Sequence, residues 1–101
     1  MAQFLILFSE GVKGDLEDIR AYDRQILLDA IEAHLTHAPH LETKTRKLLR
    51  NLAPPFEAIP PIWQLRVGAF RVLYDVNADE RRVYVRAIRR KPAHLKTEEI
   101  L

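Results

Sequence analysis

The chain has 101 residues, about the size of one typical domain, and is 48% hydrophobic and 30% charged, which sets it apart from disordered chains. It contains no cysteine, which rules out a disulfide scaffold, thiol chemistry and Cys-ligated zinc and fits a reducing cytoplasm. The net charge of +2 conceals an asymmetry: residues 1–40 carry three Lys/Arg against seven Asp/Glu, whereas residues 41–101 carry thirteen against seven. One domain spanning 1–101 with a basic C-terminal part is expected, and a polyanion is a natural partner for that part.

The apolar run Phe4–Phe8 is too short for a membrane span and lacks the basic start and cleavage site of a signal peptide, so Gln3–Phe8 reads as a buried strand. Ser9-Glu10-Gly11 reads as a turn, and Asp15 as the N-cap of a short helix through about Ala21, with Leu16 and Ile19 on one face. Asp23 caps a second helix running to about His37. In it Ile26, Leu27, Ala30, Ile31, Ala33 and Leu35 make a broad apolar stripe, and Pro39 ends it. The two helices are expected as an antiparallel pair on a sheet. His34, His37 and His40 are spaced by three, but Pro39 breaks the helix before the third aligns, so they read as solvated histidines near a helix C-terminus; no metal and no cofactor is expected.

Thr43–Leu52 is basic, with Lys44, Arg46, Lys47 and Arg50, and its imperfect alternation fits either a short strand or a helical turn. Pro54-Pro55 and Pro60-Pro61 bracket a loop. Ile62–Val67, Phe70–Val76 and Arg82–Ile88 are rich in β-branched and aromatic residues, as strands are. Gly68-Ala69 suits a type II′ hairpin turn and Asn77–Glu80 a four-residue loop. Thr97–Leu101 reads as a short helix or a tail. The class is α+β, in the order β-α-α-β-β-β, with an antiparallel sheet packed on two N-terminal helices.

These two loops predict a register. Val67 faces Phe70, so Arg66 faces Arg71; Val76 faces Arg81, so Arg71 also faces Arg86. All three arginines then share one face, opposite an apolar face with rows Val67/Phe70/Ala87, Leu65/Val72/Val85 and Trp63/Tyr74/Val83. Opposed Cβ atoms lie about 5 Å apart. Unit charges at that distance repel by roughly 0.8 kcal/mol in water and roughly 3 at an effective dielectric of 20. An anion among them relieves that repulsion, and arginine forks match phosphate oxygens. Tyr84 on the same face offers a stacking surface for a base. Beyond the last strand, Arg89-Arg90-Lys91 is followed by His94, a group able to move a proton near neutral pH. Together these suggest a phosphodiester-cleaving site in which arginines stabilise the transition-state charge.

The run Trp63-Gln64-Leu65-Arg66-Val67-Gly68-Ala69-Phe70-Arg71-Val72-Leu73-Tyr74, continued by Val83–Ile88 and Arg89-Arg90-Lys91, resembles the RelE/ParE toxins of bacterial toxin–antitoxin systems. The hairpin carries the specific part of the resemblance; the N-terminal half agrees in pattern. What it implies is a toxin held inactive by a cognate antitoxin, acting in the cytoplasm without cofactor or membrane. One branch of the family cleaves mRNA on the ribosome, the 2′-hydroxyl attacking a phosphate held by basic residues. The other poisons DNA gyrase and has no nuclease chemistry.

Carried over by motif, Arg71 is the expected transition-state stabiliser, Arg66 binds the phosphate, Lys91 is a further catalytic cation and His94 lies near the position of a C-terminal tyrosine. Arg86, Arg89, Arg90, Lys47, Arg50 and Tyr84 are the expected RNA contacts. Gln64 departs from the nucleases, which carry a lysine there, and the C-terminal tyrosine is missing. An mRNA-cleaving toxin is the leading expectation; a gyrase-type inhibitor and a degenerate toxin kept as a binding partner are the alternatives.

Overall fold

Apolar positions at helical spacing and at strand alternation meet on one face of a five-stranded sheet. The computed structural model describes residues 3–101. Strand β1 is Leu5–Phe8, helix α1 Glu10–Glu17 and helix α2 Ala21–Leu35. Strands β2 (Arg46–Leu49), β3 (Ile62–Val67), β4 (Phe70–Asn77) and β5 (Arg82–Arg90) follow, and a 3₁₀ turn covers Thr97–Glu99. The order across the sheet is β1-β5-β4-β3-β2. The α+β class and the two N-terminal helices are as expected. The sheet is mixed rather than purely antiparallel, because β1 runs parallel to β5. The ambiguous basic stretch supplies β2, which pairs antiparallel with β3.

The helices contribute Val12, Leu27, Ile31 and Leu35 to the main core, against Trp63, Leu65, Val72, Tyr74, Val83, Val85 and Ile88. Leu27, Ile31 and Leu35 recur every four residues, so the buried stripe of α2 is narrower than its sequence suggests; Ile26 is exposed. The Tyr74 hydroxyl, buried in this core, donates to the Pro39 carbonyl at 2.6 Å and fixes the chain leaving α2. Burial pushes its pKa up. Arg46 holds the same region from the other side, donating to the carbonyls of His34 (2.6 Å) and Leu41 (3.1 Å). Among the described residues no helix is long and apolar enough to cross a membrane.

Both helix starts differ from the sequence reading. Ser9 is the N-cap residue of α1, and the Ser9–Gly11 segment expected as a turn runs into the helix. Asp15 lies inside α1, and its carboxylate accepts the Ile88 N–H of β5 at 3.0 Å instead of capping a helix. Past Phe8, among the described residues, no strand lies beside β5 on that side. Ser9 Oγ on the Arg86 carbonyl (3.2 Å) and Asp15 on Ile88 there satisfy backbone groups that an open edge leaves unpaired. Asp23 sits in the first turn of α2 and pairs with Arg20 at 2.8 Å, a residue that precedes the helix.

The first hairpin has the expected register, Arg66 facing Arg71 and Val67 facing Phe70, with Gly68 at φ 57°. The second does not. Asn77 pairs with Arg82, two residues further along than expected. Asn77 closes this turn with its own side chain, accepting the Glu80 N–H at 3.0 Å, and Arg81 completes it at φ 55°. A shift of two keeps every side chain on its face, so Val83 and Val85 remain in the core. Arg86 is then an extra residue between the pairs Tyr74–Val85 and Leu73–Ala87. Beyond this bulge Arg71 faces Arg89, not Arg86, and Ile88 rather than Ala87 enters the main core.

The second face of the sheet is not a bare arginine surface. Ile62, Leu73 and Ala87 are buried there beneath Leu49, Leu52, Phe56, Ala58 and the C-terminal Leu101. The proline-bracketed loop and the end of the chain thus cover the half far from the Gly68 turn, and leave the half near it open.

Candidate functional site

On the open half, the ends of β2, β3, β4 and the segment after β5 enclose a groove of about 610 Å³. Its floor carries Arg66 and Arg71, its β2 wall Lys44 and Lys47, and its opposite wall Lys91, His94 and Lys96. Six Lys/Arg therefore line it against one carboxylate, Glu98. Among the described residues none of the six has a carboxylate within ion-pair distance, since the ion pairs elsewhere use Lys13, Arg20, Arg86 and Arg89. A concave surface lined mostly by unpaired charge of one sign concentrates counter-ions, and the sign here is the one that attracts anions.

Arg71 is the most constrained cation of the group. Its Nη1 donates to the carbonyls of Gly68 (2.9 Å) and Phe70 (2.8 Å), which fixes the guanidinium over the hairpin turn. Partial burial, and then the charge of Arg66 opposite, hold its pKa below the ordinary arginine value. It stays protonated, but its charge is incompletely solvated and stands ready for an anion. Lys91 is set by its backbone, whose N–H donates to Ala69 O at 2.7 Å and ties the end of β5 to the same turn. His94 is exposed on the rim, in a turn closed by Leu95 N–H on Pro92 O at 3.1 Å. Gln64, between Lys47 and Leu73 across the strands, accepts a hydrogen bond from the Thr97 hydroxyl.

Of the ten residues singled out in the sequence, this groove gathers Arg66, Arg71, Lys91, His94 and Lys47. The other five lie elsewhere. Arg86 is bound to the buried Asp75, at 2.6 and 3.3 Å, and its guanidinium lies 4.8 Å from the centre of the Tyr84 ring. Asp75 also accepts the Ile59 N–H at 3.0 Å, so the pair anchors the proline loop to the sheet. Arg89 pairs with Asp15 at 2.9 Å, and Arg90 lies over Phe70 at 4.5 Å. Arg50 follows β2 and lines a separate concavity with Pro60 and Pro61. Lys44, Lys96 and Thr97 join the groove without having been singled out; Lys44 was visible in the basic stretch, while Lys96 and Thr97 arrive only through the fold of the C-terminal segment.

A larger concavity, about 1020 Å³, lies between the helices and the hairpin turn. Its charges are largely paired, Asp15 with Arg89 and Asp23 with Arg20, so it offers a polyanion far less net field. His34, His37 and His40 form no ligand set: α2 ends before His37, and the His40 ring packs against Phe4 at 5.4 Å. Among the described residues no group of three or more His, Asp or Glu could hold a metal ion.

A family model described as the ParE toxin of the type II toxin–antitoxin system, parDE, matches residues 6–91. The chain belongs to that family. It is a toxin of a type II toxin–antitoxin system, of the RelE/ParE kind. No curated protein matches its sequence. Its fold is that of several solved toxins at low identity. In the RelBE2 toxin–antitoxin complex from Mycobacterium tuberculosis the similar chain is 16% identical, with a TM-score of 0.70 over 88% of this chain and 99% of that one. The archaeal RelE–RelB complex from Pyrococcus horikoshii gives 16% identity and a TM-score of 0.69 over 94% and 100%. The isolated RelE toxin from E. coli gives 16% and 0.66 over 88% and 85%. This RelE/ParE toxin therefore has the fold of those solved toxins.

Proposed function

We propose that this toxin is an endoribonuclease that cleaves mRNA, bound on the ribosome, in the groove over Arg66 and Arg71. The observation that carries the reading is the convergence of six unpaired cations and an exposed histidine on one concave surface. Arg66 and Lys91 hold the scissile phosphate, and Arg71, fixed by two carbonyls, stabilises the extra negative charge of the pentacovalent transition state. The 2′-hydroxyl forms the new O–P bond and passes its proton to a water molecule of the open groove, the P–O5′ bond breaks, and His94 gives its own proton to the departing 5′-oxygen and is reprotonated from solvent. Products are a 2′,3′-cyclic phosphate and a 5′-hydroxyl. Lys44, Lys47 and Lys96 hold flanking phosphates. No metal or cofactor is required by this chemistry, and the reaction belongs in the cytoplasm with the translated message.

Similar toxins are known in complex with the antitoxin RelB. The same kind of partner is proposed here, an antitoxin that neutralises the toxin by denying RNA the groove. The test is induction of the chain alone in bacteria, with mRNA 5′ ends mapped before and after growth stops. New 5′-hydroxyl ends within translated codons, absent with Arg71→Ala, are expected. Arrest without new ends would sink the nuclease.

A second reading has one observation in its favour. Gln64 is neither a base nor a cation, and its side-chain oxygen is already engaged by Thr97. A non-catalytic inhibitor of DNA gyrase would need no proton transfer there. Supercoiling assays separate the two, because only the inhibitor changes DNA topology while leaving RNA intact.

A further inference from the structure

The C-terminal segment carries one wall of the groove, yet little ties it down. It leaves the sheet at Lys91, whose N–H bonds to Ala69, and it ends with Leu101 packed against the Ile62, Leu73 and Ala87 cluster. Between those two anchors its hydrogen bonds are internal: Leu95 to Pro92, Lys96 to the Glu99 carboxylate, Glu99 to Lys96 and Ile100 to Thr97. Among the described residues a single hydrogen bond joins residues 92–101 to the rest of the chain, from the Thr97 hydroxyl to Gln64 Oε1. Ala93, His94, Lys96, Glu98 and Glu99 are exposed and Pro92, Leu95, Thr97 and Ile100 only half-buried, so packing holds this stretch loosely.

We infer that Gln64 is a positioning residue: through Thr97 it latches the C-terminal segment to β3 and so keeps His94, which lies between the Lys91 anchor and the latch, facing the Arg66–Arg71 floor. Gln64 suits the task. It stands in the β3 row between Lys47 and Leu73, at the line where the open groove gives way to the second small core. An amide oxygen there accepts from a hydroxyl without adding charge to a groove already crowded with cations, whereas a lysine cannot accept at all. A segment of this kind, held by one hydrogen bond between two anchors, opens at low cost when the bond is removed. Its displacement by even an ångström moves the proton donor away from the phosphate.

The inference rests on the ribonuclease reading for its catalytic consequence but not for the latch itself, and the experiment measures both. Amide exchange at residues 93–100 of the full chain is compared for wild type, Gln64→Ala, Thr97→Val, the double variant and Thr97→Ser. Each of the first two is expected to lower protection about two- to tenfold, the worth of one hydrogen bond, and the double to lower it no further. Thr97→Ser keeps the hydroxyl and keeps the protection. In cleavage of a short oligoribonucleotide, kcat falls roughly tenfold in both single variants with KM nearly unchanged, and Thr97→Ser restores it.

Unchanged exchange, or two effects that simply add, would overturn the latch. Coupled exchange with an unaltered kcat would overturn the positioning role. A wild-type chain that binds the oligoribonucleotide without cleaving it removes the ribonuclease reading instead. Affinity for the same oligomer then decides the matter: a coupled loss sustains Gln64 as the residue that shapes the groove, and unchanged affinity ends that claim.

Discussion

Arg66 and Arg71 face each other directly across the β3–β4 hairpin, and Arg71 is additionally bound to two backbone carbonyls of the turn it flanks. Two cations in adjacent register repel, and among the described residues neither has a carboxylate within ion-pair distance to relieve it. An anion bound between them would supply the relief. Arg71→Ala is therefore expected to lower the single-turnover cleavage rate by about 10²-fold, the usual effect of deleting a fixed transition-state donor. Arg71→Lys keeps the charge but loses the fork and should fall between. Thermal unfolding of Arg71→Ala should be nearly unaffected, because a repulsion is removed along with the hydrogen bonds. A large loss of stability with a normal rate would contradict this division of labour.

Asp75 and Arg86 behave oppositely. Their side chains are 3% and 11% exposed and the pair is bidentate, so removing one partner strands a charge out of water. Asp75→Ala is expected to cost about 3 kcal/mol and to lower Tm by roughly 15 °C. It also releases the Ile59 N–H and with it the proline loop. Replacing both residues by apolar ones of similar volume, Asp75→Leu with Arg86→Met, should recover much of the loss. RNA affinity of the folded double variant should match wild type, since Arg86 lies outside the groove.

How much of this was legible in the sequence depends on where each determinant sits. The first hairpin was readable because Gly68-Ala69 fixes its register within two residues. The second was not, because three local facts combine: Asn77 closes the turn with its side chain, Arg81 takes a positive φ, and Arg86 forms a bulge. Asp15 looked like a helix cap because its type and position fit one, and its real partner, Ile88, is 73 residues away. The same distance hid the fate of the arginines. All were visible as cations, but Asp15 and Phe70, which occupy Arg89 and Arg90, are brought in only by the sheet. The groove's β2 wall was hidden for a different reason: alternation in Thr43–Leu52 is imperfect, and only pairing with β3 settles it as a strand.

Asp15 joins stability to the electrostatics of the site. Its carboxylate holds the Ile88 N–H and the Arg89 guanidinium, and Arg89 stands opposite Arg71. Asp15→Ala should cost about 1–3 kcal/mol by leaving that N–H unpaired at the edge of β5. At the same time it frees a cation next to the floor of the groove, so the affinity for a short RNA should rise modestly at low salt. A destabilised variant that binds RNA more tightly is an unusual combination. Calorimetric unfolding and filter binding on one preparation would reveal it, and weaker binding would show that Arg89 does not reach the bound anion.

The salt dependence of binding separates groove cations from structural ones without requiring turnover. Each phosphate neutralised by a side chain releases condensed counter-ions and contributes about 0.7 to the slope of log K against log salt for a single strand. Lys47→Ala, Lys91→Ala and Lys96→Ala should therefore each reduce the slope by about that amount, at every RNA sequence tried. Arg90→Ala should not, because its guanidinium is spread over Phe70 on the far side of the hairpin turn and its loss is one of packing. Binding measured between low and moderate salt for the four variants gives four slopes. If Arg90 lowered the slope as Lys47 does, the anion path would have to run over the turn into the larger concavity, and the groove above Arg66 and Arg71 would be only its beginning.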